Sequence, residues 1–511
     1  MILPIIPLSH LLLGFLALAW GRSARATLIA GAALDAGMIG LYFAGSGWFE
    51  PIMIGGWESP VGIALSFDSV SLVFLILATG LELALTAYAW GEERRPYFFM
   101  LVHALFAATY ALIFAQDLFN IYVILELLTL TSFLLVAYER RPRQVWASLK
   151  YLIFASLGMS LFLLGATIAY GYTGSFNLSD IHAGVTAAAG SRWIPLCAAL
   201  MFAGVAVKGG IFSFSLWLPA AHSTASAAIS ALLSGLVIKM GIVVLIRLHA
   251  VFQLDLPLVV FGGLTGIIGA VYATASFDIK RLLAFSTLSQ IGYLLLALRL
   301  AGEGGLIPLL AYALAHGWFK GLLFLSAGEA ARAVGSTKIP DLIDSRARIP
   351  LAPRLGLLVG TFGILAVPPL AGYIAKGPLL SSTTRGLDLA LLLIIGVGTA
   401  ASFAKLVPIL LPKARAREDS PSRASGIWFL AILVALFLPI AWGLFGEAGV
   451  HPLGSLPIAW ETLATIGLGL LIGRHLLHRP LRLPNRIFHA GFGVVSIIAG
   501  FLAVYFLLSL A

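Results

Sequence analysis

The sequence predicts an all-α integral membrane protein with about 14–16 transmembrane helices. Three observations support this fold class: the composition, the apolar runs of spanning length, and the alternation of positive charge between loops. Of the 511 residues, 60% are hydrophobic and 11% are charged, and the mean hydropathy is +1.01. Soluble domains carry roughly 25% charged residues. Because the deficit of charge extends along the whole chain, we expect the apolar excess to face lipid and expect no soluble second domain.

Apolar runs as long as a membrane span recur from one end of the chain to the other. A transmembrane helix needs about 20 apolar residues. The first run has no basic residue before it, whereas Arg22 and Arg25 follow it. A secretory signal has the opposite order, so this run is predicted to be a first membrane helix. The sixteen runs lie at residues 3–20, 25–45, 66–90, 97–115, 117–138, 147–171, 193–215, 222–249, 256–275, 281–301, 305–330, 353–375, 388–411, 426–446, 456–475 and 487–509.

Positive charge gathers on alternate connections between these runs, as the positive-inside rule requires of a correct set of spans. The opposite loops, such as 46–62 and 447–455, contain no Lys or Arg. Both termini are therefore predicted on the non-cytoplasmic side of the membrane. The residues that mark the cytoplasmic loops are Arg22, Arg25, Arg94, Arg95, Arg140, Arg141, Arg143, Lys280, Arg281, Arg332, Lys338, Arg346, Arg348, Arg354, Lys413, Arg415, Arg417, Arg423, Arg474, Arg479, Arg482 and Arg486.

Composition and motifs also exclude several function classes. The net charge is +10, but the basic residues sit in short loops rather than on a solvated stripe, so nucleic-acid binding is not expected. Cys197 is the single cysteine, which rules out an intramolecular disulfide and Cys-based metal sites, and we interpret it as a packing residue. Neither a phosphate loop nor a dinucleotide-binding motif is present, so no cofactor is predicted.

Two spans are predicted to be broken. Trp217-Leu218-Pro219 closes one lysine-bearing segment and Val367-Pro368-Pro369 interrupts another, and proline kinks or breaks a helix. Discontinuous helices in corresponding positions of two halves point to an ion path in a protein built from inverted repeats. The seventh and twelfth spans therefore indicate two inverted five-helix repeats. The predicted units are residues 1–96 (helices 1–3), 97–250 (helices 4–8), 251–411 (helices 9–13) and 412–511 (helices 14–16).

Ionisable residues within the apolar runs are the candidates for function, because a charged side chain inside a bilayer is costly and seldom kept without a role. A buried lysine with a movable carboxylate partner can take up and release a proton. His316 and Lys320 are four residues apart and share a helix face. The six candidate residues for proton translocation are Glu126, Lys208, Lys239, His316, Lys320 and Lys376.

Other roles are also open for some of these residues. Lys376 ends its span, so its amine can instead reach the membrane interface. His316 can instead form a hydrogen bond between helices, and no second His or carboxylate stands at ligand spacing near it, so no metal site is predicted. Asp35, Glu82 and His103 also lie in apolar runs, but nothing in the sequence groups them. We interpret these three as packing or lipid-edge residues, with Glu82 the one most worth testing.

Seven segments resemble the antiporter-like subunits shared by respiratory complex I, Mrp-type cation/proton antiporters and membrane-bound hydrogenases. The resemblance covers about residues 60–410 in the same order along the chain, and it is highly specific as a set. The segments are D-L-F-N-I-Y-V-I-L-E-L-L (117–128), L-K-Y-L-I-F (149–154), S-L-W-L-P-A-A-H-S (215–223), S-A-L-L-S-G-L-V-I-K-M-G (230–241), D-I-K-R-L-L-A-F-S-T-L-S-Q-I-G-Y (278–293), H-G-W-F-K-G-L-L-F-L (316–325) and P-P-L-A-G-Y-I-A-K (368–376).

This resemblance implies a core of about fourteen helices with two inverted five-helix repeats. It also implies a hydrophilic axis that runs along the membrane plane. Asp278, Lys280 and Arg281 match a cytoplasmic loop signature that we interpret as structural. Carried over position by position, the implied axis consists of a Glu126–Lys208 pair, the connecting Lys239, the His316–Lys320 relay and the terminal Lys376.

The chain departs from the family pattern in several places. Ala220 and Ser226 stand where many members have Asp and Pro, so the loop before the eighth span is expected to differ in shape or hydration. Ala315 stands where many members have His or Asn, which leaves His316 as the single imidazole there. Spans fifteen and sixteen lie beyond the usual core. No long amphipathic lateral helix follows the last span, which favours the Mrp and hydrogenase branches.

The prediction is therefore a proton-translocating membrane subunit of a multisubunit complex, most like the D-type subunit of Mrp antiporters, with sodium exchange as an option. The alternative is a proton-pumping subunit of complex I or of a membrane-bound hydrogenase, driven by a redox arm on partner subunits. No catalytic redox site is expected in this chain. A self-contained solute carrier and a quinone-handling enzyme are less well supported. The expected location is the plasma membrane of a prokaryote, with lipid and other membrane subunits as partners.

Overall fold

The computed structural model describes most of the chain. Several predicted marker residues, including Arg22, Arg94, Lys413 and Arg417, and the loop 447–455 lie outside the described part. Described are residues 2–21, 24–45, 47–89, 95–214, 216–304, 306–368, 370–381, 383, 386–411, 421–435, 456–478, 481, 483 and 490–510.

Helices form nearly all of the described structure. A short antiparallel hairpin, β1 (Ile52–Ile54) and β2 (Ile63–Leu65), lies between the second and third helices. A π-helical turn, Leu233–Val237, joins the helices Ala227–Leu232 and Ile238–Phe252. The helices are α1 Ile5–Trp20, α2 Ala26–Phe43, α3 Ser69–Ala89, α4 Pro96–Phe114, α5 Leu118–Val136, α6 Pro142–Thr173, α7 Leu178–Ala187, α8 Trp193–Lys208, α9 Leu218–Thr224, α10 Ala227–Leu232, α11 Ile238–Phe252, α12 Asp255–Ala275, α13 Ile279–Gly304, α14 Ile307–Val334, α15 Ile339–Asp344, α16 Leu351–Ile364, α17 Ala371–Ser381, α18 Gly386–Phe403, α19 Val407–Leu410, α20 Pro421–Ala435, α21 Leu456–His478 and α22 Ala490–Leu510.

The predicted spans are confirmed. Among the described residues, eleven helices are long and apolar enough to cross a membrane, and five shorter apolar helices fall on the remaining predicted runs. The outer helix α1 has an exposed apolar face: Ile5, Leu8, Leu12 and Phe15 recur at helical spacing and are 55–66% exposed. In contrast, the span Ala227–Phe252 is buried along its length and lies at the centre of the bundle. The protein is therefore a multi-pass, all-α membrane protein.

An internal repeat is visible in matching hydrogen bonds. Asp117 begins α5 and pairs by an isolated bridge with Asn177, while Asp278 begins α13 and pairs with Lys338. Each position in the second pair lies 161 residues beyond its counterpart, as from 117 to 278 and from 177 to 338. The flanking backbone bonds keep the same offset, with Leu118 N to the Phe176 carbonyl and Ile279 N to the Thr337 carbonyl at 2.9 and 2.8 Å.

The two repeats point in opposite directions across the membrane. Five spans separate the start of α5 from the start of α13, namely α5, α6, α8, the α10–α11 span and α12. Because each span reverses the side of the membrane, an odd number places Asp117 and Asp278 at opposite faces. This geometry agrees with two inverted five-helix repeats. The unit boundaries at residues 97, 251 and 412 stay a prediction.

Both predicted helix breaks occur, but one has a different cause from the one predicted. The helix α8 ends at Lys208 and the chain turns at Gly209 and Gly210, where φ of Gly210 is +75°. Glycine adopts this left-handed conformation at little cost. Pro219 lies in the first turn of α9, a position that suits proline, so it starts the second half rather than ending the first. In the other break, Pro368 lies between α16 and α17 as predicted.

Close helix packing in the second repeat depends on three glycines. Gly262 and Gly266, four residues apart on α12, face Gly292 on α13. A Cβ atom on Gly292 would lie 2.2 Å from the Gly266 nitrogen and 2.5 Å from the Gly262 carbonyl oxygen. Small residues of this kind let transmembrane helices approach closely.

Replacing Gly292 with alanine is therefore expected to destabilise the protein by about 1–3 kcal/mol, because the two backbones must move apart. Thermal unfolding of the purified protein in detergent measures this loss. Gly171→Ala is the matched control, since that helical glycine has no atom within 4 Å of its Cβ position. Equal unfolding temperatures for the two variants would contradict this packing argument.

Candidate functional site

The six predicted residues occupy five helices that line the interior of the bundle. The exposed fractions are 5% for Lys208, 0% for Lys239, His316 and Lys320, and 7% for Lys376. Glu126 on α5 is half-buried, next to exposed apolar side chains of that helix. The lysines therefore lie within the protein and not at the lipid surface.

Lys208 is the last residue of α8, at the break in the seventh span. The partial negative charge at a helix C-terminus favours a cation at this position. The amine donates a hydrogen bond to the Thr129 hydroxyl on α5. Glu126, one turn before Thr129, lies within electrostatic range of the amine, but the two do not form an ion pair within 4.0 Å. The structure thus places Glu126 within electrostatic range of Lys208, whose amine bonds to Thr129.

Lys239 lies next to the π-helical turn Leu233–Val237. Its amine donates to the backbone carbonyl of Ser234, within this turn, at 2.9 Å. Turns of this kind inside α-helices are frequent at functional sites. The Ser234 hydroxyl in turn shares a hydrogen bond of 2.8 Å with the Thr287 hydroxyl on α13. The turn therefore connects the Lys239 amine to polar groups on the neighbouring helix.

Lys320 reaches the same stretch of α13 from the other side. Its amine donates to the Leu283 carbonyl at 3.1 Å and to the Ser286 hydroxyl at 2.6 Å. Ser286 precedes Thr287, which bonds to Ser234. The hydrogen bond of Lys320 therefore ends one residue from Thr287, which bonds to Ser234, the residue that accepts from Lys239.

His316 lies at the centre of the lysines. Both of its ring nitrogens are buried and have no hydrogen-bond partner among the described residues. Its ring stacks on Tyr312, with centroids 5.9 Å apart, and it is within electrostatic range of Lys239, Lys320 and Lys376. An imidazole with two free nitrogens can accept a proton on one side and release it from the other.

Lys376 is held inside the protein, so the interfacial position considered for it is wrong. Its amine donates to the Ile364 carbonyl at 3.0 Å, which the break after α16 leaves free. It also lies over the rings of Tyr293 and Tyr312, at 4.8 and 5.2 Å, where cation–π attraction favours the charged amine. A cavity of about 40 Å³ borders Lys376, Tyr293 and Thr399, enough for a water molecule.

Two further buried ionisable residues near the six candidates were not predicted from the sequence. His222 on α9 is fully buried with no partner for either ring nitrogen, and it lies within electrostatic range of Lys320. Its position in a resembling segment could have indicated it. Lys405 donates to the carbonyls of Ala273 and Ser276 at 3.2 and 2.6 Å. This lysine caps the C-terminal end of α12, a structural role.

The interpretation of Asp35, Glu82 and His103 as ungrouped packing or lipid-edge residues is wrong. All three are 0% exposed and come together with His10 between the first four helices. They lie on different helices, so their distances along the chain gave no sign of this contact.

The fold and the site define a class: a polytopic membrane protein with broken helices, an inverted repeat and a buried line of lysines. A model of the family described as NADH:quinone oxidoreductase/Mrp antiporter, transmembrane, matches residues 115–402. That range is more than half of the chain and contains all six candidate residues. The chain belongs to this family.

Similar proteins include subunits of antiporters and of dehydrogenases. The D-type subunit of the Na(+)/H(+) antiporter of Alkalihalophilus pseudofirmus is 28% identical over 335 residues, which cover 63% of this chain and 67% of that protein. The N-type subunit of the NADH-quinone oxidoreductase of Desulforudis audaxviator is 27% identical over 439 residues, or 80% and 87% of the two chains. A chain of the Mrp complex from Dietzia sp. DQ12-45-1b has the same fold, with a TM-score of 0.79, 22% identity, and coverage of 98% of this chain and 58% of that chain.

Proposed function

We propose that this chain is a proton-translocating membrane subunit of a multisubunit complex, most like the D-type subunit of a Na(+)/H(+) antiporter. One observation carries the proposal: buried ionisable side chains lie at the broken seventh span, at the broken twelfth span and on the helices α11 and α14 that pack against these two spans. Ionisable residues kept inside membrane spans mark ion paths and proton relays. In an antiporter complex, sodium would be the exchanged ion.

The residues have distinct roles in this proposal. Glu126 sets how strongly Lys208 holds its proton, and Lys208 passes that proton towards Lys239. From Lys239 the proton reaches His316 and Lys320 through the hydroxyl groups of α13. Lys376 is the exit at the far end. The polar contacts along α13 support this order because Ser234, which accepts from Lys239, bonds to Thr287, and the neighbouring Ser286 accepts from Lys320.

A second hypothesis places this chain in a redox-driven complex. The similarity to an NADH-quinone oxidoreductase subunit supports it. In that case partner subunits would supply the redox reaction and this chain the proton path. In either case we expect other membrane subunits as partners and a prokaryotic plasma membrane as the location.

Reconstitution into proteoliposomes tests the proposal. The intact complex, purified with its partners, should acidify or alkalinise the vesicle interior when its driving gradient or substrate is supplied. The same measurement on this chain alone should give little or no transport. Solute-driven transport by the lone chain would instead favour a self-contained carrier, and identification of the partners separates the antiporter from the redox complex.

The topology makes a separate prediction. A reporter fused after Arg417 should behave as cytoplasmic, and a reporter fused at the C-terminus as external, because three further spans follow that loop. Paired alkaline phosphatase and green fluorescent protein fusions measure the two sides. A cytoplasmic C-terminus would mean that the number of spans is wrong by an odd number.

A further inference from the structure

A second group of buried ionisable side chains joins the first four helices. His10 on α1, Asp35 on α2, Glu82 on α3 and His103 on α4 are each 0% exposed. We propose that His10, Glu82 and His103 bind a divalent transition-metal cation, with zinc the best match, and that this site fastens α1 and α2 to the rest of the bundle.

The hydrogen bonds around the two histidines determine which nitrogens face the cluster. The Thr27 hydroxyl donates to the carbonyl three residues before it at 2.6 Å, so it accepts a bond from His103 Nε2 at 2.9 Å. The Asp35 carboxylate accepts from His10 Nε2 at 3.2 Å and from the Tyr110 hydroxyl. Both imidazoles therefore carry a proton on Nε2 and direct Nδ1 into the cluster.

The two Nδ1 atoms face each other at 3.2 Å. Two unprotonated nitrogens at this distance repel through their lone pairs unless a cation lies between them. Nitrogens bound to one tetrahedral zinc ion at about 2.0–2.1 Å lie roughly 3.3 Å apart. The observed separation of the two nitrogens in His10 and His103 therefore matches a shared metal ion.

Glu82 supplies a second, independent observation that points to a bound cation. Both of its carboxylate oxygens are buried and have no hydrogen-bond partner within 3.5 Å among the described residues, and the Asp35 carboxylate lies close by. Neighbouring carboxylates without a partner in an apolar interior are costly unless a cation or a shared proton stabilises them. Its Oε1 lies 4.0 Å from His10 Nδ1, and one ligand atom from each of His10, Glu82 and His103 lies within 4.8 Å of the others. Gly31 leaves room for this arrangement, since a Cβ there would lie 2.7 Å from Glu82 Oε1.

The surroundings fit a structural metal site. Imidazole nitrogens favour zinc and similar transition metals over alkali and alkaline-earth cations. Ligand histidines usually donate their second N–H to a carboxylate or another oxygen, as His10 does to Asp35 and His103 to Thr27. The two carboxylates also balance the double charge of the cation. This site lies outside the proposed proton path, so its test is separate from that of transport.

Metal analysis of the purified full chain or complex tests the site. Protein from cells grown with zinc should contain about one Zn²⁺ per chain by inductively coupled plasma mass spectrometry. After removal with a chelator, reloading with Co²⁺ should give the visible absorption bands of tetrahedral cobalt. His10→Gln and Glu82→Gln should each lower bound Zn²⁺ at least tenfold, and Asp35→Asn should weaken Zn²⁺ binding about 10–100-fold.

His222→Gln is the matched control, because His222 is equally buried and unpartnered but lies outside this cluster. It should retain the full Zn²⁺ content. A monodisperse wild-type protein with no stoichiometric Zn²⁺ and no cobalt bands would overturn the proposal and favour a proton shared between the histidines. So would folded His10→Gln and Glu82→Gln proteins with wild-type Zn²⁺ content. If both variants fail to fold, the wild-type metal content and cobalt spectrum alone decide.

Discussion

Glu126→Gln is expected to reduce proton translocation by the complex at least tenfold while leaving assembly intact. Two unit charges about 5–7 Å apart interact by roughly 2–3 kcal/mol at an effective dielectric of 20. An interaction of this size changes how readily Lys208 keeps its proton by about 30- to 150-fold, at 1.4 kcal/mol per tenfold. Glutamine preserves the shape of the side chain and removes the charge. Proton uptake by proteoliposomes that contain the complex measures the effect.

Two further variants make this prediction specific. Glu126→Asp keeps the charge on a shorter side chain and should retain partial activity. Glu50→Gln removes a carboxylate in an exposed loop and should leave transport unchanged. If the Gln and Asp variants at position 126 assemble and transport equally, the carboxylate charge is irrelevant and the proposed pairing with Lys208 is wrong.

Lys239→Ala is expected to reduce transport by a comparable factor, because it removes the amine that stands between Lys208 and the polar groups of α13 in the proposed path. Alanine is a good helix former, so the helix α11 should persist. The loss should appear in the transport rate of the reconstituted complex and not in the yield of assembled complex.

Lys338→Ala is the control for this variant, since it removes an exposed lysine in the loop before α15. It should transport at the wild-type rate. Wild-type transport by an assembled Lys239→Ala complex would show that no proton passes through this amine. A complex that loses α11 packing would instead unfold at a lower temperature, which thermal unfolding in detergent detects.

The sequence by itself determined the membrane class, the number and positions of the spans, and the lysines of the candidate line. These properties are local: an apolar run of about 20 residues is a span wherever it packs, and a lysine inside such a run is visible without knowledge of its neighbours. The family resemblance added an order to the residues from Glu126 to Lys376.

Tertiary structure alone decided the contacts between helices. Pro219 and the pair Gly209–Gly210 both disfavour a continuous helix, and only the backbone conformation shows that the chain turns at the glycines. The π-helical turn beside Lys239 depends on hydrogen bonding that no residue pattern specifies.

The cluster of His10, Asp35, Glu82 and His103 could not be predicted from the sequence for the same physical reason. Its members lie on four helices, and each residue alone resembles an isolated polar side chain in an apolar run. Packing of α1 and α2 against α3 and α4 is what brings their ligand atoms together. The chemistry of each side chain could therefore be inferred from the sequence, whereas its neighbours depended on how the helices pack.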